Sequence, residues 1–128
     1  MRAAWGDVRA AAAPVLADLR RTASLRVRLV RSRDADIEAM LCVGDSGATS
    51  VSLGDAHDEP GETVPHLTEQ VQDVVFEELP GTWPECPTHP DGHPLAVDVD
   101  AGRAVWVCPA TRAPVSVVGD LAATGEPR

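Results

Sequence analysis

Between Trp83 and Pro109 the chain sets Cys86, His89, His93 and Cys108 in the order Cys-x2-His-x3-His-x14-Cys. No other feature constrains the fold as much. Two thiolates and two imidazoles are the donor set of a closed tetrahedral Zn2+ site, and they can meet only if a turn-rich loop and a strand end come together. Pro87 and Pro109 each follow a cysteine, where they remove a backbone donor and fix φ in the turns that aim the sulfurs. The plainer alternative is two packed thiols and two loop histidines, since free cysteine is commonly buried. Four ligand side chains within twenty-three residues, in a segment with few other residues for a core, favour the metal. His89 and His93 do not form a helical catalytic pair, because Pro90, Gly92 and Pro94 forbid the helix that such a pair needs. No glutamate stands beside them as a general base, so the expected Zn2+ is structural and the chain is not expected to be an enzyme.

Upstream, Trp5, Val8, Val15, Leu16 and Leu19 share one helical face, with Arg9, Asp18 and Arg20 elsewhere. This predicts a helix ending near Arg21, kinked or restarted at Pro14. The period then changes from 3.6 to 2. Leu25, Val27 and Leu29 alternate with arginines, and Ile37, Ala39, Leu41 and Val43 alternate with Asp36, Glu38 and Cys42, which predicts a hairpin. A turn centred near Arg33 would set Arg28 opposite Glu38 on the outer face and Leu29 opposite Ile37 on the inner one. Cys42 falls on the outer face, as a half-buried sheet residue with no base beside it to activate the thiol.

Gly44-Asp45-Ser46-Gly47 reads as a turn leading to a third strand through Val51 and Leu53. The same tetrapeptide occurs in the nucleophile loop of trypsin-like proteases, but the chain is too short for that fold and its histidines all follow the serine. Residues 54–61 are polar and aperiodic and predict a mobile loop, in which His57 between carboxylates is a weak metal candidate. Leu67, Val71, Val74, Val75 and Leu79 form the stripe of a second helix whose wet face carries Glu69, Gln70, Gln72, Asp73 and Glu77. Pro80-Gly81 ends it.

Leu95–Val99 and Ala104–Cys108 flank Asp100-Ala101-Gly102-Arg103, a hairpin with Ala-Gly at its tip. Pairing Val99 with Ala104 sets Val97 opposite Trp106 and Leu95 opposite Cys108, which brings Cys108 level with His93. Residues 115–118 are a candidate third strand.

Cys86-Pro87-Thr88-His89 and Cys108-Pro109-Ala110-Thr111 resemble the two Cys-Pro-x-Cys knuckles of zinc-ribbon and rubredoxin-like modules, over roughly the last third of the chain. His89 stands where the first knuckle has its second cysteine. Thr111 stands at the corresponding place in the second knuckle and is no zinc ligand, so His93 completes the set from outside it. The resemblance implies a structural metal and an interaction module. Trp83-Pro84-Glu85-Cys86-Pro87 and His93-Pro94-Leu95 also resemble strings in small proteins of GC-rich bacteria, and a basic complement made up only of arginine agrees with that bias.

Charge is unevenly spread. Residues 1–33 carry eight Arg against Asp7 and Asp18, a net +6; the remainder carries three Arg against eighteen carboxylates, a net −15. An acidic body of that size repels phosphate backbones, so nucleic acid is not the expected partner. A protein partner is, one of basic character being the best match. Three cysteines argue against a disulfide framework and for a reducing cytoplasm. Neither a membrane span nor a signal peptide is expected, because the weakly apolar run at residues 10–17 is broken by Pro14 and flanked by Asp7 and Asp18.

The expected architecture is therefore α+β. Residues 1–80 form an α-β-β-β-α domain in which two helices cover one face of a three-stranded antiparallel meander, and residues 81–128 form a zinc-ribbon-like β-hairpin module with a short tail. The expected role is a cytoplasmic adaptor binding another protein through its acidic surface and the open sheet face. The alternative is a zinc-ribbon regulator that touches nucleic acid through the Arg-rich first third.

Overall fold

A computed structural model describes residues 4–23, 25–45, 47–79, 82–89 and 92–121. Apolar residues at helical spacing make α1 (Trp5–Thr22), which buries Val8, Ala11, Ala12, Val15, Leu16 and Leu19. The helix runs through Pro14 without the expected restart. Burial of Ala11, Ala12 and Val15 on either side holds it across the missing hydrogen bond. Gly119 crosses close to this point at φ +110°, and a Cβ there would stand 3.3 Å from Pro14 Cβ. Only glycine allows both that conformation and that approach.

β1 (Val27–Arg31), β2 (Ala39–Val43) and β3 (Ala48–Val51) form an antiparallel meander in that order. Its first register differs from the sequence expectation. Leu29 pairs with Leu41 and Arg28 with Cys42, four residues beyond the expected partners. Residues 32–37 absorb the difference in side-chain-closed turns: Ser32 Oγ accepts from the Asp34 amide at 3.0 Å, and Asp34 Oδ1 from the Asp36 amide at 2.9 Å. An even shift leaves every side chain on its expected face. Ala39, Leu41 and Val43 are buried, while Met40 and Cys42 are half-buried on the other side. The expected Arg28–Glu38 pairing is lost, and among the described residues Arg26, Arg28, Arg31 and Arg33 join no ion pair. Gly44 and Gly47, at positive φ, bound the turn between β2 and β3; Ser46 lies outside the described residues.

Residues 54–61, expected to be a mobile loop, fall in two short 3-10 helices (Gly54–Asp58 and Pro60–Glu62) leading directly into α2 (Thr63–Glu78). α2 buries Leu67, Val71, Val74 and Val75 as expected. It also buries Gln72, which the helical period places on the wet face. The Gln72 amide donates to the carbonyls of Trp83 (3.2 Å) and Leu95 (2.7 Å), which satisfies both donors in the interior. Gln70 likewise turns inward, accepting from the Ser52 amide at 3.0 Å. The Pro80-Gly81 stop lies outside the described residues.

The C-terminal third holds a second antiparallel sheet, β4 (Ala96–Asp100), β5 (Arg103–Val107) and β6 (Pro114–Val117), in that order. Val99 pairs with Ala104 and Val97 with Trp106, the expected register, around an Ala101-Gly102 tip with both residues at positive φ. The candidate strand at 115–118 is β6, one residue earlier. The fold is thus α+β with two separate three-stranded sheets, the hairpin being part of the second.

Buried apolar residues from both helices and both sheets form one cluster, reaching from Val8 and Leu41 to Trp83, Cys86, Leu95, Trp106 and Cys108. Trp83 and Trp106 meet edge to face, ring centroids 5.6 Å apart. Asp18, read from the sequence as a polar-face residue, is fully buried beneath them. Its carboxylate accepts from Trp106 Nε1 (2.8 Å), the Gly119 amide (2.7 Å) and the Leu121 amide (3.0 Å). Thr22 Oγ1 accepts from Trp83 Nε1 at 2.9 Å. These bonds tie α1 to the segment carrying the cysteines and histidines.

Candidate metal centre

Two loops present the four side chains. The first is closed at its base by a bridge between Glu85 and Pro94 and by the Leu95 amide donating to Pro84 O at 2.8 Å. This sets Cys86 and His93 at opposite sides of one loop mouth. Inside it, the His89 amide donates to Cys86 O (3.2 Å), closing a tight turn, and the Gly92 amide donates to His89 O (3.0 Å). A Cβ at residue 92 would stand 3.1 Å from His89 O, tighter than an ordinary contact, so glycine suits this close approach. The second loop leaves β5 at Cys108. The Arg112 amide donates to Cys108 O (2.7 Å) and the Cys108 amide to Ala113 O (2.9 Å), with Arg112 itself at φ +64°.

The ligand atoms of Cys86, His89, His93 and Cys108 all lie within 4.8 Å of one another. His89 Nδ1 is 3.6 Å from both sulfurs, and His93 Nε2 is 3.9 Å from Cys108 Sγ. An ion with bonds of about 2.3 Å to sulfur and about 2.05 Å to nitrogen, at tetrahedral angles, requires sulfur–nitrogen separations of about 3.6 Å. The two His89 separations match that value and the His93 separation is slightly wider, so the cluster could hold a metal ion. Both cysteines are buried and both histidines half-buried. Among the described residues it is the one group of three or more such side chains placed to hold an ion.

Surrounding atoms prepare the donors. His93 Nδ1 lies 3.2 Å from Pro94 O. A carbonyl can only accept, which assigns the proton to Nδ1 and leaves the Nε2 lone pair facing Cys108. His89 uses its other nitrogen: Nδ1 faces the sulfurs, with Thr88 Oγ1 at 3.1 Å. The Cys108 thiol is lowered from 9.0 to about 6, chiefly by the Thr111 hydroxyl, then by the backbone amides of Thr111 and Ala110 and by Cys86, against burial, which raises it. Cys108 is thus a thiolate at neutral pH, the form that binds metal. Thr111 fills the place where a second knuckle cysteine would stand, and it serves the site by stabilising the sulfur it cannot assist as a ligand. The sequence excludes Thr111 as a ligand but does not disclose this role; its one signal is a hydroxyl three residues after a cysteine.

The remaining candidates lie elsewhere. His57, half-buried, sits between Asp7 Oδ2 (3.3 Å) and Asp58 Oδ1 (3.5 Å), which joins the first 3-10 helix to the start of α1. His66 is exposed on α2. Cys42 is in the first sheet, opposite Arg28 and Ala48. Among the described residues, no helix is long and apolar enough to cross a membrane. No protein-family model, no curated protein and no solved structure matches this chain.

Proposed function

We propose that the chain is a cytoplasmic interaction or adaptor protein stapled by one structural Zn2+, held by Cys86, His89, His93 and Cys108 in a variant of the zinc ribbon, with its acidic surface as the binding face. The observation that carries this reading is the convergence of four Cys and His donors within 4.8 Å of one another, with sulfur–nitrogen separations of 3.6 and 3.9 Å. Two thiolates and two neutral imidazoles suit Zn2+ among the common divalent ions. When bound there, Zn2+ supplies cross-linking free energy and no reactive water, because the protein fills every coordination position. The residues hold two loops and the end of β5 together, and the −15 body is left to meet a partner of opposite charge.

Cobalt(II) substitution tests the closed site. The expected spectrum has the strong visible bands of a tetrahedral centre with thiolate charge transfer, unchanged by added azide. Weak octahedral bands, or a shift with azide, would mean an open position and would favour a metalloenzyme.

A second reading, nucleic-acid binding through the basic third, is favoured by one observation: Arg26, Arg28, Arg31 and Arg33 are exposed and lack ion-pair partners among the described residues. Long-range repulsion by the acidic remainder opposes it. A gel-shift titration with random duplex DNA at physiological salt decides between them. No shift is expected; micromolar binding that weakens steeply with salt would promote the second reading.

A further inference from the structure

The outer face of α2 is built at a cost the chain does not recover internally. Glu69, Asp73 and Glu77 recur every fourth residue, so like charges stand one turn apart, an arrangement that weakens a helix. None of the three joins an ion pair among the described residues. Phe76, the chain's only phenylalanine, lies on the same face and is 40 % exposed. Beside it runs a groove of about 370 Å3 between α2 and the start of β4. Its walls include Phe76, Pro94, Val97 and Pro109, and its rim Glu69 and Asp73. The Gln72 amide in the groove is already bonded to two carbonyls, and prolines have no amide hydrogen to offer, so the walls invite apolar contact. Asp73 and Glu77 also border a second groove of about 240 Å3 on the β3 side, so the acidic ridge lies between two depressions.

We infer that this groove is the docking site for a short segment of a protein partner in which an apolar side chain is flanked by Arg or Lys. The apolar side chain rests on Phe76 and Val97, and the flanking cations meet Glu69, Asp73 and Glu77. Charge complementarity selects the occupant: an acidic or neutral segment would leave Glu69 and Asp73 unpaired on its rim, with Glu77 one turn further along the same ridge. The inference rests on the interaction-protein reading and gives that reading a surface. It also links the surface to the metal, because Pro94 and Pro109 directly follow His93 and Cys108 in the chain.

The test is a chemical-shift titration of the full-length, zinc-loaded chain with three synthetic peptides: one alternating Arg with Leu and Trp, one with Glu in place of Arg, and one with Ser in place of Leu and Trp. Only the first is expected to bind, with saturating shifts at residues 69–77, 94–97 and 109. Phe76→Ala and Asp73→Arg should each weaken it by about tenfold, as removal of a central interface anchor does. Metal content and circular dichroism of both variants, unchanged, would separate lost contact from lost fold. Shifts that map to another acidic region, or binding indifferent to both substitutions, would overturn the groove while leaving an acidic interaction surface in place. Shifts that depend on protein concentration without peptide would make a second copy the occupant and equally overturn a foreign partner. No binding by the Arg-Leu-Trp peptide sinks the groove, whereas the cobalt spectrum reports separately on the metal.

Discussion

Asp18 carries more of the tertiary structure than any other polar residue described. A fully buried carboxylate accepting from an indole and two backbone amides leaves three orphaned donors when it is removed. Asp18→Ala should therefore cost about 3 kcal/mol or more, read as a lower urea midpoint with an unchanged slope. Sequence periodicity placed it wrongly for a physical reason: a carboxylate counts as a wet residue unless its partners are known, and these lie 88 to 103 residues away. Cys108 gives a second prediction. With its pKa lowered to about 6 in the metal-free fold from an ordinary 9.0, the folded chain binds fewer protons than the unfolded chain between those values. Metal-free stability should then rise with pH across that window, with this contribution complete above 9 and lost as pH falls through about 6. Thiolate absorbance in metal-free protein should titrate near 6, and Thr111→Val should move the midpoint upward because it deletes the largest cause.

Among the elements, the two hairpins differ in how much the sequence reveals. The 96–107 hairpin has a two-residue tip whose chemistry leaves one register, and the pairing of Val97 with Trp106 follows from it. The 27–43 hairpin turns through seven residues, where Ser32 and Asp34 close local turns that alternation cannot detect, so its register slipped by four while its faces held. The metal loops were legible because ligand type and spacing are chemical facts; their reliance on Gln72 and the Trp83–Trp106 contact was not. Replacing Cys86, His89, His93 or Cys108 by Ala should lower metal affinity and speed amide exchange in residues 83–118 more than in α1 or β1–β3, since metal-binding free energy is also folding free energy there. His57→Ala and His66→Ala should leave metal content unchanged. Thr111→Cys should restore metal binding to His93→Ala, because residue 111 lies in the loop that the Arg112 amide closes onto Cys108 O. Failure of that rescue, with metal retained in His93→Ala alone, would remove His93 from the ligand set.

At the scale of the whole molecule, one buried cluster runs from α1 to Cys108, so a metal bound at 86–108 would act on a core shared by both sheets. The charge division is equally global: a basic first third, an acidic remainder and a net charge of −9. The order of charges along the chain revealed that division, but it could not place Glu69 and Asp73 on the rim of an apolar groove, which required the packing of α2 on β4. The reading of residues 86–108 as a staple depends on the metal. Elemental analysis of protein purified without added metal tests it most directly, together with titration of its thiols in the folded state. About one zinc per chain is expected, with Cys86 and Cys108 protected until a chelator is added. Zinc-free protein that is folded, with both thiols freely titratable, would contradict the account.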